Sequence, residues 1–222
     1  MININNLPMA GSDEVGNGDS FGPFVVVSAI IEKEDVSFLE ELNIKDSKEL
    51  SDKQIREIGE KLIKRIKHSF IMLKNIAYNR ATLKYNQNEI KATLHNICYT
   101  NMKTKYKLPK LCVVDQFCSK EKYFEYLEKN SEIKEIYRDL VFETKAENKY
   151  IAVAVASIIA RYYFIKEFDE LCKKYNMELA KGSSNPIIED QVKEIINKYG
   201  EEELKNVAKL HFKNIKKFIK EN

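Results

Sequence analysis

The sequence lacks the features that mark secreted and membrane proteins. Its four cysteines form no CxxC pair and lie among apolar residues, which argues against disulfides or a zinc site and predicts reduced thiols. The N-terminal segment MININNLPMAG has no basic stretch followed by an apolar run, so no signal peptide is expected. The longest apolar run, residues 151–160, is too short to cross a bilayer. We therefore expect a cytoplasmic protein with no membrane partner.

Charge and composition are not extreme either. The 222 residues are 44% hydrophobic and 32% charged, which suits a globular protein with a sizeable core. A net charge of +3 permits a nucleic-acid partner without requiring one. No linker, repeat or low-complexity tract divides the chain. We expect a monomer with a single domain over residues 1–222, including a C-terminal helical part at about 186–222.

Apolar patterns predict strands that alternate with helices. The run FVVVSAII at 24–31 is β-branched and indicates a buried strand. Further strands are predicted at 69–77, 111–114 and 136–142. Helices are predicted at 51–67, which opens with the capping box Ser51-Asp-Lys-Gln54, and at 86–103, 147–175, 187–199 and 203–219. This order indicates an α/β fold with a mixed central β-sheet, flanked by helices and followed by C-terminal helices.

Two adjacent acids precede the first buried strand. The segment GSDEVGNGDSFGP at 11–23 places Asp13 and Glu14 between glycines. Glycines let the backbone approach a ligand closely, but the same composition is typical of a polar hairpin turn. A dinucleotide-binding loop is rejected, because Gly22 comes one residue too late for GxGxxG and no helix junction follows. The segment alone leaves a functional site and a turn both open.

Two further acids also have a structural and a functional interpretation. Asp115 directly follows the predicted strand 111–114, where α/β proteins gather ligands, but it could equally cap the next helix. Glu147 lies in Thr144-x-x-Glu147, which has the form of a capping box at the start of a predicted helix. Taken singly, neither acid indicates a function.

Taken together, the acids predict a metal site. If the carboxylates of Asp13, Glu14, Asp115 and Glu147 converge at one end of the sheet, they repel one another unless cations neutralise them. Oxygen-only ligands select Mg²⁺ or Mn²⁺, and two such ions serve phosphodiester hydrolysis. Neighbouring side chains on a strand point to opposite faces. We therefore expect the backbone to bend at Asp13 and Glu14, which the run of glycines through Gly16 and Gly18 favours, so that both acids can contribute.

Five segments carry a longer pattern. They are Gly11-Ser-Asp13-Glu14-Val15-Gly16-x-Gly18-Asp19-x-Phe21-Gly22-Pro23, Asp46-Ser47-Lys48-Glu-Leu50-Ser51, Val114-Asp115-Gln116-Phe117, Thr144-Lys-Ala-Glu147-Asn-Lys-Tyr150 and Ala208-Lys-Leu-His211-Phe212. In this order, over about residues 10–217, they resemble the motifs of ribonuclease HIII, a member of the type 2 ribonuclease H superfamily.

The resemblance implies a ribonuclease H-like fold and an endoribonuclease that hydrolyses the RNA strand of RNA–DNA hybrids by a two-metal-ion mechanism. It also implies Mg²⁺ or Mn²⁺ as cofactor and 5′-phosphate and 3′-hydroxyl product ends. The family's catalytic, metal-binding acids correspond to Asp13, Glu14, Asp115 and Glu147, and glutamate at the fourth position is typical of type III. The glycine motif Gly16-Asn17-Gly18 is expected to present backbone groups to the ribose 2′-hydroxyl, which distinguishes RNA from DNA.

Two departures from the family pattern keep other activities open. Asn17 stands where type III enzymes usually carry threonine and type II enzymes usually carry arginine or lysine. The substrate-binding domain that usually precedes the type III catalytic domain is expected to be missing ahead of residue 10. Incision at single ribonucleotides embedded in duplex DNA, the type II activity, is therefore an alternative. A non-catalytic nucleic-acid-binding relative is a second one, which the retention of all the acids disfavours.

Several other residues are candidates for substrate binding. Ser47 and Lys48 could contact a phosphate, although a solvated polar loop has the same composition. His95 is a candidate because Leu-His-Asn resembles the type III sequence, and Lys145 because it lies beside Glu147. C-terminal lysines at helical spacing predict either a basic stripe that follows a phosphate backbone or an ordinary amphipathic surface helix. These are Lys205, Lys209, Lys213, Lys216, Lys217 and Lys220.

Overall fold

A five-stranded sheet, in the order β3-β2-β1-β4-β5, lies at the centre of the computed structural model, which describes residues 6–44 and 50–219. The neighbours β1, β2 and β3 pair antiparallel, whereas β4 pairs parallel with both β1 and β5. The mixed sheet predicted from the sequence is therefore confirmed. The strands are β1 (Met9–Val15), β2 (Phe24–Ile31), β3 (Lys67–Leu73), β4 (Leu111–Asp115) and β5 (Val141–Glu143).

Helices cover both faces of the sheet. On one face α6 packs against β1 and β2 and is itself covered by α2, and on the other face α4 packs against β2 and β3 with α5 beside it. Within residues 6–44 and 50–219, no helix is both long and apolar enough to cross a membrane. In this range the helices are α1 (Val36–Glu41), α2 (Asp52–Arg65), α3 (Asn75–Thr82), α4 (Gln87–Lys105), α5 (Lys120–Lys129), α6 (Ile151–Tyr175), α7 (Ile187–Tyr199), α8 (Leu204–Val207) and α9 (Lys213–Lys216).

α6 approaches the sheet closely at Gly11 in β1. A Cβ added there would lie 2.4 Å from the backbone nitrogen of Val153 and 2.6 Å from the carbonyl carbon of Ala152, both in α6. Only glycine leaves room for the helix at this distance. The alternation of a strand then places Met9, Gly11 and Asp13 on the face that α6 covers.

Local sequence signals locate several helices correctly. The capping box predicted at Ser51 forms, with the Ser51 hydroxyl accepting a hydrogen bond from the backbone N–H of Gln54. The helices predicted at 86–103 and 187–199 are α4 and α7. The strand predicted at 24–31 is β2, and all of its residues are buried because helices cover both faces.

The bounds of β3 and β5 differ from those predicted. The strand expected at 69–77 stops at Leu73, and α3 begins at Asn75, whose side-chain amide donates to the carbonyl oxygen of Gly22. The strand expected at 136–142 begins only at Val141. The preceding backbone is held instead by the Asn96 side chain, which donates to the carbonyl of Glu135 and accepts from the N–H of Tyr137. These tertiary hydrogen bonds outweigh the local apolar pattern.

The prediction of one continuous helix over 203–219 is wrong. The segment forms the short helices α8 and α9, and between them Ala208 pairs with Phe21 in an antiparallel bridge. Lys209, which the periodicity placed on an exposed basic stripe, is fully buried at 0% exposure. Its backbone N–H donates to the carbonyl oxygen of Ser20. The basic stripe is therefore interrupted, and Lys220 lies outside the described residues.

The close approach at Gly11 predicts a large cost for Gly11→Ala. The added methyl group would collide with α6 backbone, so we expect the free energy of unfolding to fall by about 2–3 kcal/mol. Urea denaturation followed by circular dichroism measures this change. The control is Gly18→Ala, because no heavy atom of the described residues lies within 4 Å of a Cβ added there. A Gly11→Ala protein as stable as this control would contradict the packing.

Candidate active site

The predicted acids are carried by two neighbouring strands and the turn that follows β5. β1 and β4 run parallel with Ser12 opposite Val114, so Asp13 and Asp115 occupy adjacent places where the two strands end. The carboxyl ends of parallel strands meet at one edge of a sheet, which is where α/β proteins gather ligands. Asp13 and Glu14 lie within β1, so the turn interpretation is wrong for the two acids, although residues 16–23 do form the connection from β1 to the antiparallel β2.

The bend expected after Asp13 does not form. β1 pairs with β2 in regular register from Met9 through Val15, so Asp13 and Glu14 keep the alternation of a strand. Asp13 faces α6, where the Ser157 hydroxyl hydrogen-bonds to it. Glu14 faces α4 on the other side of the sheet. The two acids therefore reach the edge of the sheet from opposite faces.

Two side chains of α4 hold the Glu14 carboxylate. Lys91 Nζ lies 2.6 Å from Glu14 Oε1, and His95 Nε2 lies 3.0 Å from Glu14 Oε2. Burial opposes ionisation of Glu14, but the hydrogen bonds and positive charges of His95 and Lys91 outweigh it and lower the pKa of Glu14 to about 2. Glu14 is consequently a carboxylate at any physiological pH.

Asp13 has the opposite character. Its burial, followed by the negative charge of Glu14 and that of Asp115, raises the pKa of Asp13 to about 8, although the hydroxyl of Ser157 works against this shift. The carboxyl is therefore largely protonated at neutral pH when only side chains surround it. A strongly raised carboxyl pKa beside other acids is typical of a site that accepts a cation.

Asp115 and Glu147 do not serve the helix caps that the sequence allowed. α5 is capped by the Ser119 side chain, so Asp115 is not its N-cap. Asp115 Oδ1 instead accepts a hydrogen bond of 2.7 Å from the backbone N–H of Ala146. Glu147 lies in a single 3-10 turn, Ala146–Asn148, and α6 begins only at Ile151, beyond the predicted capping box. The capping interpretations are therefore wrong for both acids.

Asp115 interacts electrostatically both with Glu147 in the turn after β5 and with Glu14 in β1. Burial raises the pKa of Asp115, the Ala146 hydrogen bond lowers it, and the charges of Glu147 and Glu14 raise it further. The acids are thus close enough to affect one another's ionisation. The turn is fixed by Lys145, which adopts a left-handed conformation with φ of 53°.

Within the ranges 6–44 and 50–219, no three His, Cys, Asp or Glu side chains are arranged so that they could bind one metal ion as they stand. The contacts above explain this. Glu14 is turned towards α4 by Lys91 and His95, and Asp115 is turned towards Ala146. The donor set itself, oxygen atoms of carboxylates that raise one another's pKa, fits hard divalent cations.

Ser12, His95 and Glu14 form a hydrogen-bonded chain that superficially resembles a serine hydrolase triad. Ser12 Oγ lies 2.8 Å from His95 Nδ1, while His95 Nε2 contacts Glu14. Ser12 and His95 are both 0% exposed, so the hydroxyl cannot reach a substrate. The chain therefore orients Glu14 and does not supply a nucleophile.

The glycine motif follows β1 directly. Gly16 has φ of 91°, and a Cβ added there would lie 2.2 Å from the carbonyl oxygen of Pro23, so glycine is required at this position. Asn17 is half-buried and Gly18 is exposed at the tip of the turn. Of the loop predicted to contact a ribose, the tip at Gly18 is therefore accessible, whereas Gly16 is buried.

Residues 207–209 of the C-terminal segment form hydrogen bonds with residues 19–22 of the same loop. Lys209 Nζ donates to the carbonyl oxygens of Asp19 and Gly22, at 2.9 and 2.7 Å. The backbone N–H of Gly22 donates to Val207, and that of Lys209 donates to Ser20. Burial lowers the pKa of Lys209 to about 7. Lys209 is thus a brace for the loop and not a surface cation.

The remaining predicted contacts lie in different places. Lys145 is exposed beside the turn that carries Glu147. His95 is buried beneath Glu14 rather than at the surface. Ser47 and Lys48 lie outside the described residues.

Three residues of the site were missed in the sequence: Ser12, Lys91 and Ser157. Strand alternation from Glu14 would have identified Ser12 as a residue on the same face. Lys91 stands one helical turn before His95, so the predicted helix already placed the two side chains together. Ser157 carries no comparable local signal.

Known proteins share this fold and these motifs. The sequence model of the ribonuclease HII family matches residues 10–215. Ribonuclease HIII of Bacillus cereus is 39% identical over 220 residues, which cover 98% of this chain and 70% of that protein. Ribonuclease HIII of Phytoplasma mali is 43% identical over 212 residues, with coverage of 95% and 72%.

A solved structure agrees with these relatives. The crystal structure of Bst-RNase HIII in complex with Mn²⁺ superposes with a TM-score of 0.89 at 36% identity, over 96% of this chain and 69% of that one. The predicted ribonuclease H-like fold and the resemblance to ribonuclease HIII are both confirmed. The chain therefore belongs to the ribonuclease HII family, resembles ribonuclease HIII over nearly its whole length, and is a ribonuclease H.

Proposed function

We propose that Asp13, Glu14, Asp115 and Glu147 are the catalytic acids with which this chain hydrolyses the RNA strand of RNA–DNA hybrids. The observation that carries the proposal is that the parallel strands β1 and β4 bring Asp13, Glu14 and Asp115 to one edge of the sheet, and the raised pKa of Asp13 agrees with their proximity. A fold gains nothing from such an arrangement unless a cation is bound there. The relative Bst-RNase HIII, whose structure contains Mn²⁺, supports Mn²⁺ or Mg²⁺ as that cation.

The protein's own part in this reaction is to hold oxygen atoms in place. Ser157 orients the Asp13 carboxyl, His95 and Lys91 orient Glu14, and the Ala146 N–H orients Asp115. Two divalent ions held by these acids would supply activation of the attacking water and stabilisation of the leaving oxygen. The expected products carry 5′-phosphate and 3′-hydroxyl ends.

Substrate recognition is assigned to the loop after β1. The backbone of Gly16, Asn17 and Gly18, of which Gly18 is exposed, Asn17 half-buried and Gly16 buried, would contact the ribose 2′-hydroxyl, the group that distinguishes RNA from DNA. Lys145, exposed beside the Glu147 turn, would contact a phosphate. Base readout is not needed, since a hybrid duplex keeps its bases stacked.

We further propose that the chain acts as a monomeric, single-domain enzyme in the cytoplasm. Four free cysteines suit a reducing compartment. The loop and the C-terminal segment share backbone hydrogen bonds, which supports one domain that includes the C-terminal helices. Size-exclusion chromatography with light scattering tests the monomer.

Replacing Asp115 tests the assignment of the acids. We expect Asp115→Asn to slow cleavage of an RNA–DNA hybrid in Mg²⁺ or Mn²⁺ by about 10³-fold, or ~4 kcal/mol of activation free energy, while hybrid binding persists. Cleavage is measured on a labelled duplex, and binding by gel shift in EDTA. The matched control is Asp190→Asn, an exposed acid of α7 that pairs with Lys193. Equal cleavage by the two variants would refute the proposal.

The raised pKa of Asp13 predicts a pH-dependent gain in stability for Asp13→Asn. Because the folded-state pKa lies above the usual value of 3.8, ionisation of Asp13 lowers wild-type stability progressively between about pH 4 and pH 8. An asparagine does not ionise. In EDTA, the variant should exceed the wild type by about 1–3 kcal/mol at pH 8.5 and by much less at pH 4.5.

Thermal denaturation at the two pH values measures this difference, with Asp190→Asn as the control. With saturating Mn²⁺ at pH 8.5, the wild type should be more stable than Asp13→Asn, because only the wild type gains stability from metal binding. A gap between variant and wild type that is the same at both pH values would show that Asp13 has an ordinary pKa.

Three labelled duplexes test the substrate. We expect multiple cuts in an RNA–DNA hybrid and none in pure DNA, because the loop recognises a 2′-hydroxyl. A duplex with one embedded ribonucleotide distinguishes the type II activity from the type III activity. Efficient incision of that duplex, without cleavage of the hybrid, would show that the chain has the type II activity instead. Binding of the duplexes without any cleavage would favour a non-catalytic nucleic-acid-binding protein.

A further inference from the structure

Lys91 occupies an unusual position among the ion pairs of the described chain. The side chains of Lys91 and its partner Glu14 are each only 12% exposed. By comparison, Lys103, which lies on the same helix, and its partner Glu135 have side chains that are 55% and 50% exposed. The Lys91 ammonium also lies 5.2 Å from the centre of the Phe117 ring. A partly buried ion pair has a stronger electrostatic interaction than one in water.

The two partners of Glu14 on α4 differ in their freedom to move. His95 is 0% exposed and held by Ser12 through its other ring nitrogen, so its position is fixed. Lys91 reaches Glu14 through a flexible four-carbon chain with three rotatable donors. Of the two groups that turn Glu14 towards α4, Lys91 is therefore the one that can move away.

This arrangement bears on the metal site assigned above. Lys91 Nζ contacts Glu14 Oε1 and His95 Nε2 contacts Glu14 Oε2, so each oxygen already has a partner on α4. Each oxygen keeps a second lone pair, so a divalent ion can still bind Glu14, but the ammonium of Lys91 would then lie near the ion and repel it.

We propose that Lys91 is a tethered counter-cation that holds Glu14 when no metal is bound and competes with the divalent ion for the Glu14 carboxylate. The inference rests on the proposed function, because it requires Glu14 to be a metal ligand. Lys91 is a positioning residue in this scheme. It keeps the acid from destabilising the metal-free protein and leaves Glu14 when the ion arrives.

The test is Mn²⁺ binding to the full chain, measured by isothermal titration calorimetry and by the electron paramagnetic resonance signal of free Mn²⁺. We expect Lys91→Met to tighten Mn²⁺ binding by about tenfold, which is ~1.4 kcal/mol, because the competing cation is gone. In EDTA the same variant should melt at a lower temperature than the wild type, and Mn²⁺ should raise its melting temperature by more. Lys91→Arg keeps the charge and should retain wild-type affinity.

Lys103→Met is the matched control, since it removes an exposed lysine and its ion pair from the same helix. It should leave Mn²⁺ affinity unchanged. A merely structural role for Lys91 would lower the melting temperature equally with and without Mn²⁺ and would not tighten binding. Unchanged or weaker Mn²⁺ binding by Lys91→Met would overturn the proposal, and Lys91→Gln repeats the measurement should the methionine variant aggregate.

Asp115→Asn separates this inference from the proposed function. If Asp115→Asn weakens Mn²⁺ binding while Lys91→Met fails to tighten it, the metal site stands and only the role of Lys91 is refuted. If Asp115→Asn leaves Mn²⁺ binding unchanged, the ion does not bind at these acids, and both the site and the role of Lys91 are refuted.

Discussion

Repulsion among buried carboxyl groups is the constraint on which the rest of this structure depends. Asp13, Glu14 and Asp115 lie close enough at the ends of β1 and β4 to affect one another's ionisation, and each negative charge makes the next more costly. The protein limits that cost in two ways. Asp13 favours its protonated form, and Glu14 is paired with Lys91 and His95. If these acids hold the metal as proposed, a divalent cation would take over both tasks, and stability would be linked to catalysis.

The two helical layers give the acids their different environments. Because adjacent residues of a strand face opposite sides, Asp13 belongs to the layer of α6 and Glu14 to the layer of α4. Each layer then contributes its own polar partners, Ser157 on one side and Lys91 with His95 on the other. The site therefore requires both faces of the sheet to be covered, and Gly11 fixes one of them by admitting α6 so closely.

The sequence allowed much of the fold and the acids to be predicted, because these depend on local patterns. Apolar periodicity located β2, α4 and α7, and the capping box located the start of α2. The predicted bend after Asp13 was wrong for an instructive reason. An acid at the edge of a sheet can contribute from either face, so the regular strand needs no distortion there.

What the sequence could not reveal depends on contacts between distant segments. Lys209 continued a convincing helical spacing, yet it is buried because the carbonyl oxygens of Asp19 and Gly22 need donors. Likewise, the backbone N–H of Tyr137 donates to the side chain of Asn96 and not to a neighbouring strand. Lys91 was overlooked because a lysine on a helix is ordinarily solvated, and only the strand opposite it supplies the carboxylate. Such pairings have no signature within a single segment.

The hydrogen bonds from Lys209 to the loop after β1 have a consequence for the order in which parts of the site form during folding. Lys209 and the Asp19 carbonyl that it holds are 190 positions apart in the chain. Contacts between such distant positions form late, since a long loop must first be closed. During synthesis the loop has emerged from the ribosome long before its support exists. The acid-bearing strands can thus pair while the loop proposed to contact ribose is still unsupported, so the proposed selectivity for RNA depends on a segment that is synthesised 190 residues later.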